Sequence, residues 1–348
     1  MPEFWENSIK FWISTIAGTL GLGALWRFPF AAYDTHASPS SFLVIFGAQI
    51  ALLAIPQYFL ELSLGQYFQQ SVLYIYDQPS KKWKGVVYTM FFTNFVIAIF
   101  YMYLIAYSLI YVYYSFYPTS WGFSGEESLL LQESYKFWAN RVLYKGTDSE
   151  ILDGKWAISW PVLISISSCW GLLYLYLKQR IQLHERIQAL ATVLPFLLLF
   201  GLTTYSFFYN GFKPGLSYLL IPDFDQLTNP LVWVKATEQV LFQMSLGTGI
   251  LMQNASYRSK KSSLNQPAIA LPVVNAIAGL MAALPMFDFL GFFVKTYPGD
   301  YSFLKTQMDS YGLTFVVFTA IFRQMAYPRV WTGLFFGMMA FIGFTCQV

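Results

Sequence analysis

The chain has 348 residues, of which 56% are hydrophobic, 20% aromatic and 11% charged, with a formal net charge of +3. A soluble domain carries roughly 25% charged residues, so the composition excludes an ordinary soluble protein. The basic residues do not form a stripe interleaved with aromatic side chains, so no nucleic-acid partner is expected. The expected surroundings are a lipid bilayer.

Eight segments of the sequence are apolar enough to cross a bilayer, which takes about 20 residues for roughly 30 Å of hydrocarbon. They are residues 11–33, 41–60, 85–116, 156–177, 187–209, 232–252, 268–287 and 330–348, which we number as spans one to eight. Since α-helices are the structures that satisfy their own backbone groups in such segments, the sequence predicts an all-α polytopic membrane protein.

The basic residues of the short loops give the expected orientation. They cluster after spans two, four and six, at Lys81, Lys82, Lys84, Lys178, Arg180, Arg186, Arg258, Lys260 and Lys261. Loops with an excess of Lys and Arg face the cytoplasm. Because these loops lie on one side, we expect both termini in the cytoplasm, the loop 117–155 outside, and the plasma membrane as the location.

Glycines interrupt spans one and six. Span one contains "IAGTLGLGALWRFPF" (16–30), and span six contains "FQMSLGTGI" (242–250). Interrupted segments in corresponding positions of two halves predict an inverted-repeat transporter with its binding site near the midplane. The alternative is that these glycines only allow neighbouring helices to pack closely.

Several motifs resemble one known family when taken in chain order. They are "GLGALWRFPF" (21–30), "AIPQYFLELSLGQ" (54–66), the segment 208–249, "NASYRSKK" (254–261) and "GLTFVVFTAIFRQMAYPRVWTGLFF" (312–336). Together they resemble the neurotransmitter:sodium symporter family over essentially the whole chain, 1–348. The resemblance implies a fold of two inverted repeats with broken helices one and six, about 10–209 and 232–348 here. The family has further spans after the eighth, so we expect a truncated chain with an incomplete second repeat.

The resemblance also implies a substrate site at the two breaks for a small amino acid or derivative. Gly21 would leave room for the substrate carboxylate, and Tyr101 would donate a hydrogen bond to it. Tyrosine is common in such spans, so the alternative is that Tyr101 is one more aromatic residue. The expected substrate-binding set is Gly18, Thr19, Gly21, Leu22, Gly23, Ile97, Tyr101, Phe242, Gln243, Ser245 and Thr248.

Sodium is the coupling ion that the resemblance implies, held between spans one and eight. The matching residues are Ala17, Leu20, Ile342, Thr345 and Cys346. The hydroxyl of Thr345 suits a hard cation, whereas the thiol of Cys346 is a soft ligand. Cys346 could instead be a small buried apolar side chain.

A second sodium site and a chloride site depart further from the family pattern. Thr19 and Asn275 match the second sodium site, but Ala24 replaces its asparagine, and Asn275 could equally make an ordinary interhelical hydrogen bond. Gln239 matches the chloride position. Gly279 replaces the serine expected beside it, which argues against chloride dependence.

Gate residues are expected on both sides of the substrate. Arg27 and Phe242 would close the outer side, although the family partner of Arg27 lies on a span that this sequence does not contain. Trp5 and Tyr257 would belong to the inner gate.

The function that follows from the resemblance is sodium-coupled symport of a small amino acid or derivative by alternating access. No nucleophile–base arrangement or metal-ligand spacing indicates an enzyme. The replaced residues leave open a degenerate homologue that no longer transports and acts as a binding or regulatory membrane protein. The sequence indicates no oligomeric state.

Overall fold

The computed structural model describes residues 8–33, 38–117, 129–143, 158–178, 181–208, 212–221, 223–299 and 312–347. Within these ranges the regular structure is helical, without a strand. The predicted all-α class is therefore confirmed.

Fifteen α-helices, with several tighter or wider helical turns, form the described chain. The first nine are α1 (Ser8–Thr19), α2 (Phe28–Tyr33), α3 (Pro39–Gln49), α4 (Ile55–Phe68), α5 (Val72–Asp77), α6 (Lys84–Ser115), α7 (Leu130–Phe137), α8 (Trp160–Leu177) and α9 (Ile181–Phe207). The others are α10 (Phe212–Leu220), α11 (Pro230–Gln243), α12 (Ile250–Ser256), α13 (Asn265–Thr296), α14 (Gly312–Gln324) and α15 (Pro328–Thr345). The turns are π-helical at Gly23–Arg27, Ile50–Ala54 and Trp138–Val142, and 3₁₀-helical at Lys81–Trp83 and Phe224–Thr228.

Five of these helical runs are by themselves long and apolar enough to cross a membrane. They are Pro39–Phe68, Lys81–Ser115, Trp160–Leu177, Arg186–Phe207 and Asn265–Thr296, and the bent pair Ile9–Thr19 and Gly23–Tyr33 gives a sixth if it counts as one span. They correspond to predicted spans one to five and span seven, and they make the chain a multi-pass membrane protein.

In the described chain, neither of the other two predicted spans forms a single helix that is both long and apolar enough to cross a membrane. Span six is divided into α11 and α12 because its glycines break it. Span eight contains α15, an 18-residue helix whose first turn carries Pro328 and Arg329. The proline and the charge at one end lower the mean hydropathy of this helix, which is already short for a membrane span.

A short helix between spans seven and eight packs into the body of the protein. α14 has 13 residues, and Phe315, Phe318 and Phe322 on it are fully buried. Phe315 stacks on Trp138 of the predicted outer loop, with ring centroids 4.8 Å apart. α14 is too short to span a bilayer, so its apolar surface is buried against protein instead.

Candidate functional site

Span one is interrupted near its middle. α1 ends at Thr19, and helical geometry resumes in the π-helical turn Gly23–Arg27, which continues into α2. The helices on either side of the break are bent by 51°. A hydrogen bond from Ala24 N to Gly21 O, 3.1 Å long, closes the turn between them. The interruption therefore lies where the glycine cluster predicts it.

Span six is interrupted between the end of α11 and the start of α12. Three residues of the connecting segment have backbone φ in the left-handed region, Ser245 at 52°, Gly247 at 71° and Gly249 at 87°. Glycine adopts this geometry without a Cβ penalty, whereas a serine is uncommon there. The segment is thus a non-helical break whose left-handed backbone its two glycines accommodate.

Span two supplies partners for the backbone freed by this break. The fully buried carboxylate of Glu61 accepts a hydrogen bond from Gly247 N at 2.9 Å. The buried hydroxyl of Tyr58 donates to Met244 O at 3.0 Å. Lipid could not satisfy these backbone groups, so α4 stabilises the break.

The two breaks line one cavity of about 830 Å³. Of the residues expected to bind substrate, those that line it are Gly18, Thr19, Gly21, Gly23, Ile97, Tyr101, Phe242, Gln243, Ser245 and Thr248. Arg27, Glu238 and Cys346 also line it. The arrangement offers an apolar cavity with a few polar groups, as small-molecule sites do.

Leu22 is the expected substrate-binding residue that does not line the cavity. Its side chain is buried in the core, and a Cβ placed on Gly343 would lie 3.1 Å from Leu22 Cδ1. The rotation of the chain at the break turns this side chain towards span eight. The Leu22 side chain therefore lies outside the cavity lining, and its assignment to the substrate site stays a prediction.

Gly21 leaves a gap between two polar side chains. A Cβ at this position would lie 3.2 Å from Cys346 Sγ and 3.4 Å from Tyr101 Oη. The Tyr101 ring meets the Phe242 ring edge to face, with centroids 6.0 Å apart. The Tyr101 hydroxyl can donate a hydrogen bond to a carboxylate, and the missing side chain of Gly21 leaves room for that carboxylate beside it.

The five residues expected at the sodium site of spans one and eight lie together. Cys346 Sγ is 3.9 Å from Ala17 O and 3.7 Å from Leu20 O. The backbone oxygen of Ile342 accepts from Cys346 N and from Thr345 Oγ1, both at 3.0 Å. Carbonyl and hydroxyl oxygens fit a hard cation, and the thiol is the one soft group among them. The described residues contain no cluster of three or more His, Cys, Asp or Glu side chains, so this neutral set suits a monovalent ion better than a divalent one.

A buried network of amides occupies the region predicted for a second sodium site. Asn275 Nδ2 donates to Thr19 Oγ1 at 3.0 Å, so these two predicted residues do meet. Gln243 Nε2 donates to Asn275 O at 2.8 Å. Gln239 Nε2 lies 2.9 Å from both Gln243 Oε1 and Gly23 O. Amide groups therefore connect span one, span six and span seven directly.

The same network explains the geometry at the predicted chloride position. Gln239 is fully buried, and its amide nitrogen is directed at backbone and side-chain oxygens. A Cβ on Gly279 would lie 2.9 Å from Gln243 Nε2 and 3.0 Å from the Phe28 ring. Gly279 thus provides the space that the Gln243 amide fills.

Arg27 and Phe242, the two expected outer-gate residues, are in contact. The Arg27 guanidinium lies 4.7 Å from the centroid of the Phe242 ring. Arg27 also pairs with Glu238, with Nη2 and Oε2 3.5 Å apart and Nη1 donating to Glu238 O at 3.2 Å. Sequence reasoning missed Glu238 as this partner. The available signal was a carboxylate inside an apolar span, one helical turn before Phe242.

The inner-gate residues are less completely described. Trp5 lies outside the described residues. Tyr257 is 37% exposed, accepts a hydrogen bond from Gln253 Nε2 at 3.0 Å, and does not line the cavity.

We expect the Arg27–Glu238 ion pair to affect access to the cavity more than it affects the stability of the fold. Both side chains are partly exposed, at 27% and 50%, and such pairs contribute about 0–1 kcal/mol. We expect Glu238→Gln to leave thermal unfolding almost unchanged and to increase the rate at which a membrane-impermeant thiol reagent labels Cys346. The measurement uses a Cys169→Ala background, with Lys235→Gln on the same helix as the control. An unchanged labelling rate would show that the pair does not restrict the cavity.

A multi-pass helical protein with two interrupted helices around a central cavity has the architecture of an interrupted-helix membrane transporter. The family model described as the sodium:neurotransmitter symporter family matches residues 2–129 and 124–348. The chain belongs to this family.

Three curated relatives show which proteins the chain is similar to. It is 26% identical to the sodium-dependent nutrient amino acid transporter 1 of Drosophila virilis, over 97% of this chain and 58% of the relative. It is 26% identical to the sodium- and chloride-dependent creatine transporter 1 of Bos taurus, over 99% of this chain and 58% of the relative. It is 25% identical to the sodium-dependent neutral amino acid transporter B(0)AT3 of Mus musculus, over 97% of this chain and 64% of the relative. The chain therefore spans about three fifths of the length of these relatives.

Proposed function

We propose that the protein is a sodium-coupled symporter of a small amino acid or amino-acid derivative, working by alternating access. The observation that carries the proposal is the cavity between the two breaks. In this cavity Gly21, which has no side chain, leaves a gap between Tyr101 and Cys346. The names of the relatives include amino acids and creatine, which share a carboxylate. The substrate carboxylate is received by Tyr101 and the backbone around Gly21. Residues 10–209 form the first repeat of this domain and residues 232–348 belong to the second, in the plasma membrane with both termini cytoplasmic.

Sodium is proposed to bind at the carbonyl oxygens of Ala17, Leu20 and Ile342 with the side chains of Thr345 and Cys346. The Cys346 thiol lies 3.9 Å from Ala17 O and 3.7 Å from Leu20 O, and Thr345 Oγ1 lies 3.0 Å from Ile342 O. One sodium ion then accompanies the substrate, because the Gln243 amide fills the region of a second ion. Chloride is not required in this proposal, although one relative is named for chloride dependence.

The test is uptake into vesicles that contain the purified full chain. Labelled leucine and labelled creatine are offered under an inward sodium gradient, and a potassium gradient is the control. We expect uptake of at least one of them with sodium only. Cys346→Ser replaces a soft thiol by a hard hydroxyl and should lower the sodium concentration for half-maximal uptake several-fold.

The outcomes separate this function from its rival. Uptake that ignores sodium would contradict the coupling. Sodium-dependent binding of the labelled compounds without uptake would favour the non-transporting homologue. A Cys346→Ser variant with unchanged sodium dependence would remove that residue from the ion site.

A further inference from the structure

A second polar site lies between spans five and seven, outside the cavity described above. It consists of Asp288 on α13 and Ser206 on α9, which are 1% and 0% exposed. Ser206 Oγ lies 2.7 Å from Asp288 Oδ2 and 2.9 Å from Thr203 O. Asp288 Oδ1 is buried and has no hydrogen-bond partner in the described chain. Neither side chain lines the substrate cavity.

Within the described residues, no charged side chain pairs with Asp288. On the described elements that pack against α13, the titratable or charged side chains include Arg27, Tyr33, Tyr58, Glu61, Tyr205, Lys213, Tyr218 and Arg323, and α13 itself carries Lys295. None of them forms a hydrogen bond or ion pair with Asp288 in the described structure. An ionised carboxylate inside a membrane span is costly without such a partner.

The backbone of α10 closes the site on one side. A Cβ on Gly215 would lie 2.5 Å from Asp288 Cα and 2.3 Å from Phe287 O. Only a glycine allows the two backbones to approach so closely. This contact leaves no room on that side for a bound ion with its own ligands.

The hydrogen bonds of Ser206 favour a protonated Asp288 carboxyl group. The Ser206 hydroxyl has one proton but two acceptors within hydrogen-bond distance, Thr203 O and Asp288 Oδ2. If Asp288 is ionised, the Ser206 hydroxyl can serve only one of these two acceptors, and no other described side chain compensates the buried charge. If Asp288 is protonated, Oδ2–H donates to Ser206 Oγ and Ser206 Oγ–H donates to Thr203 O. The second arrangement gives every proton an acceptor and buries no charge.

We propose that Asp288 and Ser206 form a proton-binding site that fastens span five to span seven. The proton is bound in the conformation seen here, and its loss weakens this helix contact. The packing of spans five and seven is therefore stabilised at acid pH, and it loses that stabilisation as the pH rises and the proton is removed. This site is independent of the substrate and sodium sites proposed above.

The experiment measures the thermal unfolding midpoint of the full chain in nanodiscs from about pH 5 to about pH 9. The wild-type midpoint should fall by about 3 °C or more as the pH rises. Asp288→Asn keeps a neutral side chain with a donor for Ser206, so its midpoint should match the wild type at acid pH and lose the pH dependence. Asp225→Asn, which removes an exposed carboxylate, is the matched control and should retain the wild-type slope.

A second measurement detects the proton directly. The infrared difference spectrum of wild type against Asp288→Asn should contain the carbonyl band of a protonated carboxylic acid, and Ser206→Ala should shift this band. Absence of the band, or an Asp288→Asn variant that fails to fold at acid pH, would overturn the proposal. A midpoint raised by sodium in the wild type but not in Asp288→Asn would also overturn it, because Asp288 would then bind a metal cation.

Discussion

Replacing Gly21 by alanine is expected to weaken substrate binding at least about tenfold, which corresponds to about 1.4 kcal/mol, while the protein still folds. The added methyl group would lie 3.2 Å from Cys346 Sγ and 3.4 Å from Tyr101 Oη, in the gap proposed for the substrate carboxylate. Both neighbours are side-chain ends that can shift by a few tenths of an ångström, so folding tolerates the change. A carboxylate cannot share the remaining space with the methyl group.

The measurement is equilibrium binding of labelled leucine and creatine to the purified variant in sodium buffer. Gly201→Ala in α9 is the matched control, because outside its own helix backbone and its chain neighbours no heavy atom lies within 4 Å of the added Cβ. That change should leave binding unaltered and slightly stabilise the helix, by about 0.4–1 kcal/mol. Unweakened binding to Gly21→Ala would place the substrate elsewhere in the cavity.

The fold was predictable from the sequence to the extent that it depends on local properties. Uncharged runs of about 20 residues predict membrane-spanning helices without any knowledge of their neighbours. The breaks in spans one and six were predictable in the same way, because glycine weakens a helix wherever it packs. α14 was not predicted as an element, since its 13 residues are too few for a span and its burial depends on partners such as Trp138.

The candidate site was predictable as a set of residues but not as a geometry. Ten of the eleven residues that the resemblance assigns to the substrate site line the cavity, eight of them at the two breaks and two, Ile97 and Tyr101, on span three. The direction of Leu22 depends on the rotation of the chain at the break, which no local pattern specifies. The pairing of Arg27 with Glu238 joins residues 211 positions apart, and only the folded structure brings them together.

Gln243 has the largest expected effect on stability among the polar residues of the cavity. Its side chain is 1% exposed and connects span six to span seven through Asn275 O, while Gln239 links it to Gly23 O in span one. Gln243→Leu keeps a similar volume but removes both of its hydrogen bonds and leaves buried polar partners unsatisfied. Each unsatisfied group costs about 1–3 kcal/mol, so unfolding should become easier by at least that amount.

A sharper test is a double-mutant cycle that combines a change at Gln243 with Gly279→Ala, because Gly279 borders the space that the Gln243 amide fills. Alone, Gly279→Ala should destabilise, because its Cβ would lie 2.9 Å from Gln243 Nε2. Together with Gln243→Ala, the added methyl group gains the volume that the amide vacates, so the double variant should be more stable than the sum of the two changes predicts. Coupled neighbours show interaction energies of about 0.5–3 kcal/mol, and thermal unfolding of the four proteins measures this quantity. Simple additivity would mean that Gln243 does not occupy the gap beside Gly279. The proposal of a single coupled sodium ion would then lose its structural basis, because that proposal depends on an amide filling the place of the second ion.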